Sequence, residues 1–209
     1  MKIKEYRGIR GLVAAKLLTD TNDEGGLTYD KPFDVAGTSE LSRETENSSE
    51  SHYYDNIPAI VIDSVGADTV TASVSAIPLD VLAKLTGQYY DETTGMFIEG
   101  ERTSDYFAIG YITDDTDGNE VYVWRLKVKC SIPSSTHATK TDGTDANGQE
   151  ITFTGINTQH KFTSTGKTAK AVNLEIAKGL TTYTENEFFA AVQDPDKVTA
   201  KKKAAATTT

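Results

Sequence analysis

The chain has 209 residues and a formal net charge of −10, with 31 acidic side chains against 21 lysines and arginines. This length suits one domain with elaborations. The acidic balance excludes a body that grips nucleic acid through its phosphates, since such a body needs a basic face. One cysteine, Cys130, and three histidines exclude a disulfide framework and leave little material for a metal centre.

The N-terminus shows no targeting segment. Its basic residues are followed by an aliphatic stretch at residues 12–15, which is too short for the apolar core of a signal peptide. The longest aliphatic run, at residues 59–62, is far shorter than the roughly 20 residues that a membrane helix needs. We expect the protein to be made in the cytoplasm and to have no membrane anchor.

Strands are predicted on both sides of a polar segment. Residues 6–18 predict the first strand. Residues 57–65 and 69–75 predict a hairpin around a turn at residues 66–68. Period-two alternation in the second arm of this hairpin places three apolar side chains on one face. These side chains are Val70, Ala72 and Val74.

The polar segment itself covers residues 38–56, where Leu41 is the only aliphatic side chain larger than alanine. A segment of this composition cannot bury enough apolar surface to order itself. Two interpretations therefore stay open, a surface loop and a long extended hairpin loop that a neighbouring molecule orders. Tyr53 and Tyr54 at the far end favour the hairpin, because exposed aromatic rings suit an interface.

A short amphipathic helix follows at residues 78–86. Pro78 suits the start of a helix, where its missing N–H group costs nothing, and Gly87 suits the end. Three leucines lie on one face, which we expect to pack against the sheet. They are Leu79, Leu82 and Leu85.

A second hairpin is predicted from residues 106–113 and 121–130, with a turn at residues 114–119. The even-numbered residues of its second strand are apolar and predict the core side. The odd-numbered residues, which include Arg125 and Lys127, take the opposite face.

The C-terminal third predicts two more strands and a helix. The strands are residues 150–155 and 167–176, with a helix over residues 169–177 as the alternative for the second. Thr184 and Glu187 form a capping box, which predicts a short helix over residues 185–193.

The sequence thus predicts a single domain over residues 1–198. Residues 199–209 are a low-complexity run of lysine, alanine and threonine. This composition predicts a flexible tail.

No motif for catalysis or for metal binding withstands inspection. Residues 166–168 resemble the end of a phosphate-binding loop, but the required upstream glycine is Lys161. A calcium loop that starts at Asp115 places Glu120 where the invariant glycine belongs. Cys130 lies within an apolar strand, as a small buried hydrophobe does. We therefore predict no catalytic residues, no cofactor and no metal, and we expect the protein not to be an enzyme.

Five segments resemble those of a known family: residues 7–12, residues 53–56, the helix at residues 77–87, the hairpin 107–128 and residues 187–196. In this order they are similar to the major tail (tail tube) proteins of long-tailed bacteriophages of Gram-positive hosts. The resemblance covers residues 6–198, and no single motif decides it.

The resemblance implies a mainly β fold, namely an antiparallel β-sandwich or small barrel with a short flanking helix. It implies hexameric rings of this chain stacked into a tube that conducts DNA from capsid to host without specific binding. Partners would include the tape measure and tail terminator proteins, and the location would be the virion, after synthesis in the host bacterial cytoplasm. Leu41, Tyr53 and Tyr54 are the candidate contacts between subunits.

Two other classes remain open from the sequence. One is the tube subunit of a contractile injection system or phage-tail-like bacteriocin, which shares fold and assembly but does not always carry DNA. The other is an adhesive or carbohydrate-binding β-sandwich, which the missing secretion signal and the scarcity of clustered aromatic residues disfavour.

Overall fold

A computed structural model describes residues 3–139, 147–176 and 183–198. These residues form twelve strands and two helices, and the fold is mainly β as predicted. The strands are β1 (Tyr6–Asp20), β2 (Leu27–Tyr29), β3 (Phe33–Ala36), β4 (Thr38–Tyr54), β5 (Ile57–Val74), β6 (Tyr89–Asp91), β7 (Met96–Ile98), β8 (Phe107–Asp115), β9 (Glu120–Cys130), β10 (Ser134–Ser135), β11 (Gln149–Gly155) and β12 (Ala171–Glu175). The helices are α1 (Leu79–Thr86) and α2 (Glu185–Phe189).

Ten strands of the described residues form one antiparallel sheet. Its hydrogen-bonded neighbours follow the order β2, β1, β8, β9, β11, β5, β4, and β3 pairs with β1. Only Gly37 separates β3 from β4, so the chain passes directly from a partner of β1 to a partner of β5. The sheet therefore curls back on itself, and the prediction of an antiparallel sandwich or small barrel with short helices is confirmed.

An inner core fills the space inside the curled sheet. Val70, Phe107 and Phe153 are among its fully buried side chains, and α1 contributes Leu85. The alternation predicted for residues 69–75 is therefore confirmed.

Helix α1 matches its predicted position. It ends where Gly87 takes a left-handed conformation with a φ of 70°. The predicted leucine face is wrong at one position, because Leu79 in the first turn is exposed.

An outer core lies on the other side of β1, β8 and β9, beneath α2. Trp124 is fully buried there, and its Nε1–H donates to the backbone oxygen of Phe188 at 3.2 Å. The capping box of α2 forms as predicted, because the Thr184 hydroxyl accepts from the Glu187 amide while the Glu187 carboxylate accepts from the Thr184 amide. The helix is shorter than predicted and ends at Phe189.

The prediction of one core side for β9 is wrong. A register shift follows the pairing of Ile109 with Arg125, and it changes the side to which alternate residues point. Trp124 consequently belongs to the outer core, whereas Cys130 belongs to the inner one. Arg125 and Lys127, expected on the opposite face, are buried. Their burial is possible because a carboxylate from a distant strand neutralises each of them.

The predicted turn at residues 66–68 is wrong as well, since β5 runs through it without interruption. A register shift leaves Glu46 of β4 unpaired at this level. A Cβ atom on Gly66 would lie 2.5 Å from the Glu46 Oε2 atom. The glycine therefore makes room for a bulge and does not reverse the chain.

Residues 38–56 are extended, but the expectation that a neighbouring molecule orders them is wrong. The segment is β4, one strand of an extended hairpin, and its partner is β5 of the same chain. Strand β12 likewise replaces the alternative helix over residues 169–177, in so far as its residues are described. The tail at residues 199–209 lies outside the described residues.

Candidate assembly surface

The outer halves of β4 and β5 leave the sheet as a two-stranded ribbon, residues 46–66, which we call the arm. Among the described residues, β11 pairs with β5 only from Asp68 to Val74, so each strand of the arm has an unpaired edge. Asp55 and Asn56 form the turn at its tip, with φ angles of 50° and 63° that suit a two-residue hairpin turn. At about 3.3 Å per residue, the tip lies roughly 30 Å beyond the base.

Both faces of the arm carry apolar side chains that remain in solvent. Cross-strand partners share a face, so Ile60 and Ile62, paired with His52 and Glu50, lie on the face opposite Val61. The large exposed apolar side chains of the arm are Tyr53, Tyr54, Ile57, Ile60, Val61, Ile62 and Val65, each between 50% and 65% exposed.

Exposure of this apolar surface to water is energetically unfavourable. A lone two-stranded ribbon is marginally stable, and each large aliphatic side chain gains about 1.5–3 kcal/mol from full burial. Contiguous exposed apolar residues next to unpaired strand edges are typical of docking sites for another polypeptide. The arm is therefore the candidate assembly surface.

A buried ionic cluster fixes the base of the arm. The Asp68 carboxylate contacts the Arg125 guanidinium at 2.8 Å and the Lys170 ammonium at 3.0 Å. The same ammonium donates to the backbone oxygen of Gly66. Burial acts to raise the pKa of Asp68, but the hydrogen bond from Lys170 and the charge of Arg125 outweigh it, so the pKa is lowered. Asp68 therefore stays ionised and holds β5 to β9 and to the segment before β12.

An open cleft of about 1180 Å³ lies beside this cluster. It is lined by the first residues of β1 and β4 and by the first halves of β9 and β12. Apolar lining comes from residues such as Ile9, Val121 and Val123. Four cations and two carboxylates give the lining a net charge of +2. These charged residues are Arg7, Arg43, Arg125, Lys170, Glu40 and Asp68.

A second exposed apolar patch lies on the hairpin of β6 and β7. Tyr89 pairs with Ile98, and Asp91 pairs with Met96, so all four side chains share one face. Tyr89, Met96 and Ile98 are exposed. The patch follows α1 in the chain, at the end of β5 remote from the arm.

The structure separates the three predicted contact residues. Tyr53 and Tyr54 lie at the tip of the arm and are exposed. Leu41 lies in the body, where it packs partly buried against the inner core and also lines the cleft. Sequence reasoning missed Ile60 and Ile62. The sequence did contain a signal for them. The aliphatic strand at residues 57–65 follows the polar segment 38–56, which has too few apolar residues to cover it.

The rejected phosphate-loop and calcium-loop motifs both lie in turns. Gly166 closes a turn in which its amide donates to the Phe162 oxygen at 2.7 Å, and Asp115 caps the turn between β8 and β9 by accepting from the Asn119 amide at 2.9 Å. Burial raises the pKa of the Cys130 thiol to about 12, so this thiol is a poor nucleophile. Within the described ranges, no three His, Cys, Asp or Glu side chains are grouped to hold a metal ion.

No helix in the described part of the chain is both long and apolar enough to cross a membrane. No protein-family model matches the chain, and no curated protein matches it. Among solved structures, it is similar to a chain in the cryo-EM structure of the anti-feeding prophage baseplate, determined with six-fold symmetry. The two chains are 10% identical with a TM-score of 0.36, over 79% of this chain and 93% of the other. A similarity this distant assigns neither a family nor a function to this chain.

Proposed function

We propose that the chain is a non-catalytic structural subunit of a phage tail or phage-tail-like assembly, and that it polymerises into hexameric rings stacked as a tail tube. The observation that supports self-assembly is the arm, with seven large exposed apolar side chains on a ribbon with unpaired edges. Such a surface gains stability when a second polypeptide covers it. The ring and the tube follow from the sequence resemblance to tail tube proteins.

Charge supports the role of a conduit. A net charge of −10 gives each subunit a field that repels phosphate groups, so DNA would pass through the lumen without binding. By the same resemblance, the tape measure and tail terminator proteins would be partners within the virion.

Sedimentation velocity and negative-stain microscopy of the full chain test this function. We expect rings or tubes, and we expect Ile62→Ser to raise the concentration needed for assembly by roughly tenfold or more, since buried apolar contacts hold such interfaces. Ile132→Ser is the matched control, because Ile132 is exposed to a similar extent but lies outside the arm.

The outcomes separate the parts of the proposal. A wild-type chain that stays monomeric at high concentration and moderate salt contradicts self-assembly. A polymer that shifts DNA in a gel at moderate salt contradicts the conduit while leaving the assembly intact. Equal effects of the two isoleucine substitutions would show that the arm is not the contact surface.

A further inference from the structure

The cleft beside the arm base is basic, although the protein is acidic. Arg125 and Lys170 share the single carboxylate of Asp68 through short contacts. The Arg43 guanidinium is more remote from Asp68, at 3.8 Å. Arg7 is exposed, and the described residues include no ion-pair partner for it. Asp68 and Glu40 supply two negative charges against four cations in the lining, and Arg43 also donates to the Thr45 hydroxyl at 3.1 Å. The cleft therefore keeps an excess of positive charge, centred on Arg7, for a further carboxylate.

The cleft also offers apolar and backbone contacts. Ile9, Val121 and Val123 line it beside the two arginines. Strand β1 pairs with β8 along one edge, but on its other edge β3 begins to pair only at Leu12. In the described structure, no strand pairs with the backbone groups before Leu12 on that edge, and such groups suit pairing with an incoming extended chain. The occupant that fits is an extended segment with apolar side chains and a negative charge.

The tip of the arm has this composition. Asp55 supplies a carboxylate at the turn, and Tyr53, Tyr54 and Ile57 flank it with exposed apolar surface. Tyrosine suits such a contact, because its ring buries a large area while its hydroxyl keeps a hydrogen-bond partner.

A tip cannot reach the cleft of its own chain. The cleft is lined by Thr45 and Val65, which stand at the base of the arm, whereas the turn at Asp55 lies about 30 Å further out at 3.3 Å per residue. The two surfaces are complementary within one sequence but can meet only between copies.

We propose that the arm tip of one copy enters the cleft of a second copy, with Asp55 facing Arg7 and Arg43. The assignment rests on the proposed self-assembly and names its receptor site. The flanking tyrosines contact the apolar wall at Ile9 and Val121. Because tip and cleft are different surfaces, the contact is heterologous, and its repetition closes into a ring or continues as an open filament.

Complementation between two variants tests this contact. Arg7→Glu disables the cleft but keeps the tip, and Tyr53→Ser/Tyr54→Ser disables the tip but keeps the cleft. We expect each to need at least roughly tenfold more protein to polymerise than the wild type, because like charges or lost apolar contacts oppose docking. Mixed together, they should form discrete one-to-one dimers, since one tip and one cleft remain intact.

Lys31→Glu is the matched control, because Lys31 is an exposed cation outside the cleft. Arg7→Ala should weaken polymerisation in the same direction as Arg7→Glu, but to a smaller extent. Near-UV circular dichroism verifies that every variant is folded. If Arg7→Glu polymerises as Lys31→Glu does, or if the mixture yields no dimers, the cleft is not the receptor, while the proposed function stands. A different occupant of the cleft would also leave Arg7→Glu polymers intact. A monomeric wild type contradicts both proposals.

Discussion

The two halves of β5 differ in burial, although both are rich in β-branched residues. Its second half lies between β4 and β11, and Val70 and Ala72 are fully buried. Its first half pairs with β4 alone, and Ile60 and Ile62 are at least 50% exposed. The comparison shows that the burial of a strand depends on the neighbours that the rest of the chain supplies. In the first half that neighbour is missing, and our proposal assigns it to another copy.

Body and arm should therefore respond differently to substitution. The body contains two cores and a buried ionic cluster, and its contacts determine the free energy of unfolding of one subunit. The arm side chains make few contacts within one subunit, so substituting them removes little of its stability. Substitutions can thus separate folding from assembly.

The largest expected effect is in the outer core. Trp124→Ala should lower the free energy of unfolding by about 3–5 kcal/mol, because it leaves a large cavity and removes the hydrogen bond to Phe188. Urea denaturation of dilute protein measures it. Tyr54→Ala in the arm should change the same quantity by less than about 0.5 kcal/mol. Similar losses for the two variants would contradict the division into body and arm.

The ionic cluster should show the next largest effect. Asp68→Asn leaves Arg125 and Lys170 without their shared counter-charge, and breaking a buried pair in this way costs about 3 kcal/mol. Asp63→Asn provides an arm control, since Asp63 is exposed on β5 and its loss should have little effect on unfolding. A neutral result for Asp68→Asn in urea denaturation would show that the cluster does not secure the arm base.

The sequence alone was sufficient to predict features that depend only on residues close together in the chain. The capping box at Thr184, the αL ending at Gly87 and the alternation around Val70 each need only a few adjacent positions. The fold class followed from these local patterns. The burial of Arg125 did not, because its counter-charge, Asp68, is 57 residues away.

The candidate site was predictable in part for the same reason. Tyr53 and Tyr54 stood out because their surroundings are polar, and the structure places both at an exposed tip. The exposure of Ile60 and Ile62 was harder to predict, because the strand that contains them resembles a core strand and only the polar composition of the adjoining segment indicates otherwise. Only the place where β11 stops pairing, at Asp68, determines where burial ends.

Acid should destabilise the body through its buried carboxylates. Burial acts to raise the pKa of Asp20, but hydrogen bonds from Lys127 and from the Gln159 and His160 amides lower it overall. A lowered native pKa gives stability that is present above the unfolded pKa of about 3.9 and is lost as the pH falls through the native value. The free energy of unfolding should therefore decrease as the pH falls below about 4, where Asp20 and Asp68 begin to lose this contribution.

Asp20→Asn provides the comparison for this acid effect. It should be less stable than the wild type at neutral pH, and its stability should depend less on pH below 4. Urea denaturation between about pH 5 and 3 measures this, because that range brackets the ordinary carboxyl pKa of about 4. If the free energy of unfolding falls equally steeply with pH in the variant and the wild type, Asp20 does not contribute.

The smallest expected difference lies within one strand, and amide hydrogen exchange measures it. In dilute subunits the Ile62 amide should exchange at least roughly tenfold faster than that of Ala72, because the ribbon around Ile62 opens locally while β11 and β4 enclose Ala72 on both sides. Assembly should slow exchange at Ile62 and leave Ala72 unchanged, since only the arm gains a neighbour. Equal protection of Ile62 in subunit and polymer would mean that the arm stays in solvent. In that event the second apolar patch, with Tyr89 and Ile98, would be the next surface to substitute.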